Sequence, residues 1–119
     1  MAVDEQIRLM PAEFSPLAVQ AVTHGGAHTV VLSGELDIAS GPELATMIRR
    51  FCAVPGTTRL TIDLGGLTFI DSSGIKAMLD AKRICAEYRH EFRLIQGPEN
   101  VRRVFEITGL SDIFAFASD

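Results

Sequence analysis

The chain first shows a regular pattern of apolar and polar positions at residue 17. The two classes alternate over residues 17–21, and after Gly25 and Gly26 the chain is again strand-like over residues 29–32. A period of two is typical of a strand with one buried face, and the paired glycines favour a turn. The pattern therefore predicts an opening β-hairpin. Residues 1–15 place charges between isolated apolar groups, so we expect a flexible N-terminal arm.

The first helix is predicted to begin near a capping-box pattern formed by Ser40 and Glu43. In such a box the serine oxygen and the glutamate satisfy N–H groups that have no partner in the first turn. The apolar residues that follow have helical spacing and form one stripe: Leu44, Met47, Ile48, Phe51 and Cys52. We interpret this stripe as core packing rather than as a cofactor or membrane surface. Pro55 and Gly56 end the helix.

Strands and helices alternate through the rest of the chain. The predicted elements are a strand at 60–64 followed by Gly65, Gly66 and an apolar stretch at 67–70, a helix at 72–88, a strand at 92–95, a helix from 97 to 109, and a closing strand or packed tail at 113–116. The buried face predicted for the last helix is Val101, Val104, Phe105 and Thr108. This order favours an α/β sandwich with a mixed, partly parallel sheet of four or five strands and three or more helices. Residues 16–119 then form a single domain.

Charge and hydropathy exclude several classes of partner. The 119 residues carry a formal net charge of -4, and no basic run resembles a nucleic-acid footprint. No apolar run approaches the ~20 residues that a membrane span requires, and charges interrupt the first ten residues where a signal peptide needs an apolar run. We therefore expect a cytoplasmic protein that binds neither nucleic acid nor a membrane.

The cysteines and histidines do not have the spacing of a metal or redox site. Cys52 and Cys85 each lie in a helical pattern, which favours buried, reduced thiols. His24, His28 and His90 are far apart in sequence and show no ligand-like spacing. We predict no metal, no cofactor and no catalytic residue.

The segment from Asp71 to Gly74 joins a predicted buried strand to a helix, and partners and ligands tend to bind at this kind of junction. Asp71 can cap the helix, which would leave the Ser72 hydroxyl facing outward. From spacing alone, helix capping is the favoured interpretation of Asp71, Ser72 and Ser73. A nucleophile elbow needs glycines flanking the serine as in GxSxG, and a Walker loop needs GxxxxGK, and the chain contains neither arrangement.

Three motifs, taken in order, resemble the STAS family of anti-sigma factor antagonists. They are Leu32 to Asp37 (LSGELD), Leu67 to Ile75 (LTFIDSSGI) and Gly97 to Leu110 (GPENVRRVFEITGL). The resemblance covers about residues 17–117 and rests on the combination of the motifs, since each one alone is weak.

The resemblance implies a switch based on serine phosphorylation. In that family the first serine after the aspartate is the phosphate acceptor, which corresponds to Ser72, with Ser73 as the fallback. The unmodified form binds an anti-sigma factor that is also a serine/threonine kinase and so releases the sigma factor. Phosphorylation by that kinase ends the binding, and a PP2C-type phosphatase restores it. Whether the chain forms a homodimer stays open.

The partner-binding surface implied by the resemblance comprises Glu35, Asp37, Asp71, Ser72, Ser73, Gly74, Ile75 and Lys76. For Glu35 and Asp37 the alternative is a purely structural role in a turn. Lys76 departs from the family, many of whose members have small residues soon after this motif; it either alters kinase recognition or pairs with Asp80 at i+4. Two alternative functions stay open: a STAS scaffold or transporter-associated subunit without the switch, and a small enzyme that uses Ser72 with a histidine.

Overall fold

The computed structural model describes residues 17–117 in full and residues 5–8 as backbone. The elements are β1 (Glu5–Arg8), β2 (Leu17–His24), β3 (Ala27–Leu36), α1 (Gly41–Cys52), β4 (Arg59–Ile70), α2 (Ser72–Glu87), β5 (Glu91–Ile95) and α3 (Glu99–Ile107). Strands and helices alternate after an opening hairpin, as the sequence predicts. No helix in these two ranges is both long and apolar enough to cross a bilayer.

The five strands form one open, mixed sheet in the order β1-β2-β3-β4-β5. The first three strands are antiparallel neighbours, and β3, β4 and β5 run parallel. The hairpin between β2 and β3 turns at Gly25, whose φ of 63° is a conformation that glycine adopts without strain. The predicted α/β class and partly parallel sheet are confirmed.

Strand β1 lies within the segment for which the sequence predicts a flexible arm. Residues Glu5–Arg8 pair antiparallel with β2, and Glu5 is opposite Thr23. The pairing uses backbone N–H and C=O groups that β2 would otherwise present at an open sheet edge. For these four residues a strand replaces the expected arm, and the rest of residues 1–15 lies outside the described residues.

Strand β4 continues through the two glycines that the sequence suggested as a break. Its register against β3 shifts between Val31 and Ser33, where Gly66 is the partner of Ser33. A Cβ atom on Gly66 would lie 2.8 Å from the Leu32 carbonyl oxygen. Glycine is therefore required by a bulge in a continuous strand and not by a turn.

The start of α1 differs from the predicted capping box. Ser40 has helical dihedral angles, φ -93° and ψ -20°, and its side chain makes no capping hydrogen bond. Its hydroxyl instead donates to Asp37 Oδ1 at 3.0 Å, and the same oxygen accepts from the Ala39 N–H at 3.0 Å. The prediction of a Ser40 cap is wrong because the acidic residue three positions earlier binds this hydroxyl.

The last helix packs against β4, and the segment that follows it pairs with the edge strand β5. Val101 and Phe105 are buried, as predicted, but Thr108 is exposed at the end of α3 and its hydroxyl donates to the Val104 carbonyl at 2.9 Å. Beyond α3 the Ala117 N–H donates to the Leu94 carbonyl at 2.7 Å. The predicted packed tail is confirmed by this pairing with β5.

The two cysteines meet in the core, where α1 packs against α2. Their sulfur atoms are 3.7 Å apart, and both residues are buried and free of disulfides. Burial is the main cause that raises the pKa of both thiols. The predicted burial of both thiols is confirmed, and their mutual contact was not predicted.

Gly74, in the first turn of α2, is the closest point between this helix and the sheet. A Cβ atom there would lie 2.9 Å from the Leu36 carbonyl oxygen and 2.5 Å from Ile70 Cγ1. The atoms it would meet belong to the last residues of β3 and β4. The position of α2 over the strand ends therefore requires glycine at residue 74.

We expect Gly74→Ala to lower the free energy of unfolding by about 1–3 kcal/mol, as overpacking of a tight site does. The overlap with a backbone oxygen outweighs the ~1 kcal/mol that alanine normally gains over glycine in a helix. Gly41→Ala is the matched control, since a Cβ atom at that helix start meets only Ala77 Cβ, at 3.9 Å. Urea unfolding measures both variants, and equal stabilities would contradict this account of Gly74.

Candidate functional site

The candidate site lies where two parallel strands end side by side. Glu35 is the register partner of Phe69, and Leu36 is the partner of Ile70. Because β3 and β4 are parallel, their carboxyl ends share one edge of the sheet, and α2 begins directly after β4 at Ser72. This edge is where ligands and partners bind in open α/β sheets.

Asp71 caps α2, as the sequence predicts. Its backbone is extended, with φ -120° and ψ -169°. Its Oδ1 atom accepts from the N–H groups of Ser73 at 2.9 Å and Gly74 at 3.1 Å. The cap satisfies two of the donors that a helix start leaves free and fixes the position of the first turn.

The two serines of the first turn differ in exposure. Ser72, the first residue of α2, is exposed, whereas Ser73 is partly buried. Ser73 lines a groove of about 270 Å³ between the first turns of α1 and α2, whose other lining residues are Ile38, Gly41, Pro42, Ala45, Lys76, Ala77 and Asp80. Of the two residues, Ser72 is the more accessible to another protein.

Glu35 and Asp37 have separate roles in the turn after β3. Asp37 is partly buried and holds the turn by accepting from Ser40 and Ala39. Glu35 is exposed, and within the described part of the chain its carboxylate makes no hydrogen bond or ion pair. The alternative of a purely structural role in the turn therefore applies to Asp37. Glu35 stays a candidate for contact with a partner protein.

Gly74 and Ile75 do not fit the expected contact surface. Ile75 is 4% exposed and belongs to the hydrophobic core, and Gly74 is buried against Leu36 and Ile70. Neither offers a side chain to a partner, because both sit on the face of α2 that packs on the sheet. Their part in the site is to hold α2 in place.

Lys76 lies one turn beyond Ser72 and points away from the core. Its side chain is 78% exposed, and its Nζ atom is 3.5 Å from Asp80 Oδ2. The i+4 pair that the sequence offered as an alternative does form. An exposed ion pair of this kind contributes little to stability. Lys76 can therefore leave Asp80 for another anion with little loss of free energy.

Two apolar residues of this surface were not predicted. Ile38 is 77% exposed in the turn before α1, and Phe69 is 45% exposed next to Glu35. Sequence alone gave a weak signal for both: Ile38 follows Asp37 outside any periodic pattern, and Phe69 adjoins the end of β4. Exposed apolar groups beside polar ones are typical of docking surfaces.

The three histidines lie at the opposite end of the sheet. His28, at the start of β3, is the register partner of Leu60, and β4 runs roughly 30 Å from Leu60 to Ile70 at the usual rise of a strand. His28 binds the hydroxyl groups of Thr23 at 2.9 Å and Thr57 at 2.8 Å. Burial, and then the nearby His90, lower its pKa, which favours the neutral ring. A serine–histidine pair using Ser72 is therefore contradicted.

No cluster of three or more potential metal ligands occurs within residues 17–117. The candidate site offers carboxylates, hydroxyl groups and one cation on an exposed, partly apolar surface. This chemistry is suited to recognition by another protein.

The order of the elements and the strand-to-helix junction are those of a STAS domain. Residues 18–119 match the STAS domain family, and the chain belongs to that family. The anti-sigma-B factor antagonist of Staphylococcus epidermidis is 27% identical over 101 residues, which cover 82% of this chain and 89% of that protein.

Solved structures with a similar fold include two anti-sigma factor antagonists. One, from Mycobacterium paratuberculosis, aligns with a TM-score of 0.73 and 25% identity over 86% of each chain. The other, SpoIIAA in its unphosphorylated form, aligns with a TM-score of 0.72 and 24% identity over 86% of this chain and 90% of that one.

We expect Asp71→Ala to lower the free energy of unfolding by about 1 kcal/mol, the usual cost of removing an N-cap side chain. Asp71→Asn keeps an oxygen acceptor and is the matched control, with a much smaller loss. Urea unfolding measures both. An alanine variant as stable as the wild type would show that the two hydrogen bonds to Oδ1 contribute nothing.

Proposed function

We propose that this protein is an anti-sigma factor antagonist whose binding is switched off by phosphorylation of Ser72. In its unmodified form it binds an anti-sigma factor that is a serine/threonine kinase, and the sigma factor is released. A PP2C-type phosphatase returns the modified form to the binding state. The cycle operates in the bacterial cytoplasm, where sigma factors act.

The observation that carries the proposal is the exposed Ser72 at the first position of α2. Charged and apolar groups, both of which docking requires, are exposed at the same junction: Glu35 is charged, and Phe69 and Ile38 are apolar. The names of the relatives at 27% and 25% identity support the antagonist role. Phosphoryl transfer would form a bond between Ser72 Oγ and the γ-phosphorus of ATP and release ADP and the hydroxyl proton.

The proposed switch acts on charge and leaves the fold intact. A phosphate adds roughly -1.5 to -2 charges at neutral pH, and the positive end of the α2 dipole tolerates an anion at this position. The same charge lies beside Asp71 and near Glu35, so it makes an acidic surface more acidic. Docking would then bury much of this added charge away from water, which is unfavourable.

We predict that Ser72→Ala abolishes phosphate incorporation and retains binding to the kinase. The kinase is first captured from a lysate of the source bacterium on the immobilised wild-type protein, then purified and incubated with ATP and each variant. Intact-protein mass spectrometry measures the gain of one phosphoryl group. Ser73→Ala is the matched control and should gain the same mass as the wild type. Equal gain in Ser72→Ala would reject Ser72 as the acceptor.

We predict that Ser72→Asp weakens binding to the same kinase at least about tenfold, a free-energy loss of ~1.4 kcal/mol. One fixed negative charge at the helix start reproduces part of the effect of phosphate. Isothermal titration calorimetry measures the dissociation constant, with Ser72→Asn as the uncharged control of similar size. If the two variants bind with equal affinity, charge is not what opens the complex.

A further inference from the structure

We propose that Lys76 is an internal counter-ion for phosphorylated Ser72, which it reaches by leaving Asp80. The proposal rests on the proposed phosphorylation of Ser72 and adds a property of this chain's own modified state. Lys76 and Ser72 are four residues apart in α2, so their side chains lie on the same face of the helix.

The order of acidic and basic residues along α2 favours a pair of Lys76 with phosphorylated Ser72 over its present pair with Asp80. An acidic group four residues before a lysine is more stabilising than the reverse order. The pair of Lys76 with Asp80 has the less favourable order, with the lysine first, and its atoms are 3.5 Å apart. Phosphorylated Ser72 would precede Lys76 and carry about twice the charge of Asp80.

Asp80 keeps a cation when Lys76 leaves. Arg83 Nη2 is 3.7 Å from Asp80 Oδ1, and Arg83 is held in place by Glu87 at 2.8 Å. Asp80 is thus shared by two cations in the unmodified protein, and the loss of one leaves no carboxylate unpaired. The exchange therefore costs little in this charge network.

No other cation lies within the start of α2 that could pair with the phosphate in place of Lys76. It is the only cationic residue among the first seven of the helix, Ser72 to Met78. The acidic groups of the junction, Asp71, Glu35 and Asp37, repel the phosphate. Its high exposure leaves the Lys76 side chain free to change rotamer.

The consequence is a modified state whose surface charge is partly neutralised from within. The lysine stabilises the dianion more than the monoanion, so it lowers the second pKa of the phosphate, which is ordinarily near ~6. From the usual strength of i,i+4 ion pairs, the shift is roughly 0.2–0.4 pH unit.

The test uses full-length protein with phosphoserine installed at position 72 by genetic code expansion, so it needs no kinase. Titration by ³¹P NMR gives the second pKa of the phosphate in the wild type, Lys76→Gln and Lys76→Arg. The pKa should rise by roughly 0.2–0.4 unit in Lys76→Gln and return to the wild-type value in Lys76→Arg. An unchanged value in Lys76→Gln would overturn the proposal.

Two further variants separate a specific pair from a general charge effect. Lys82→Gln removes an exposed cation from the same helix at a distance of roughly 15 Å from residue 72, and should leave the pKa unchanged. Asp80→Asn removes the competing partner and should lower the pKa further. Equal shifts in Lys82→Gln and Lys76→Gln would overturn the specific pairing. If Ser72 does not accept phosphate from the kinase, the proposed function is rejected. The pairing of Lys76 with phosphoserine 72, measured without the kinase, is not affected by that outcome.

Discussion

The first turn of α2 lies so close to the ends of β3 and β4 that residue 74 has no room for a side chain. This contact fixes the helix in register with two neighbouring strands of a parallel pair, which the core beneath them holds together. Asp71 completes the arrangement, because its carboxylate binds the first free N–H groups of the helix. Ser72 is thus presented as an exposed residue at the start of a helix packed on the sheet, and not by a loop.

Structural and surface roles alternate along this short segment. Asp71, Gly74 and Ile75 face the protein and hold the junction, whereas Ser72 and Lys76 face outward. This alternation follows from the helix itself, since only one side of the first turn can contact the sheet. A sequence motif of consecutive residues therefore contains both kinds of position, and its members do not all belong to one contact surface.

Much of the fold follows from local patterns in the sequence. The alternation in β2 and the apolar stripe of α1 each reflect one buried face, and Asp71 caps α2 because an aspartate before a helix start has few better interactions. The predictions that failed depend on other residues. In one case a nearby side chain competes for the predicted hydrogen bond, and in the other the backbone packs against a strand that is distant in sequence. Asp37 binds the Ser40 hydroxyl that was expected to cap α1, and Gly66 allows a bulge that depends on β3.

The same limit applies to the candidate site. The sequence predicted an outward-facing Ser72 at a helix start, but the exposure of Phe69 depends on how α2 and the strand ends pack, which no local pattern encodes. The contact between Cys52 and Cys85 likewise exists only because α1 and α2 pack together. The sequence pattern does not show which residues that are far apart in the chain come into contact in the fold.

In the proposed switch, the electrostatics of the junction would let phosphorylation alter binding without altering the fold. An anion at the start of α2 interacts favourably with the helix dipole, so the folded state gains or loses little. A docked partner meets a different balance, because it excludes the water and salt that screen the phosphate from Asp71 and Glu35. In the proposed switch, Lys76 on the same face would reduce the excess charge that a partner encounters. The residue at position 76 would then tune how strongly phosphorylation opposes docking, and a chain with a small residue there would present the full charge of its phosphate.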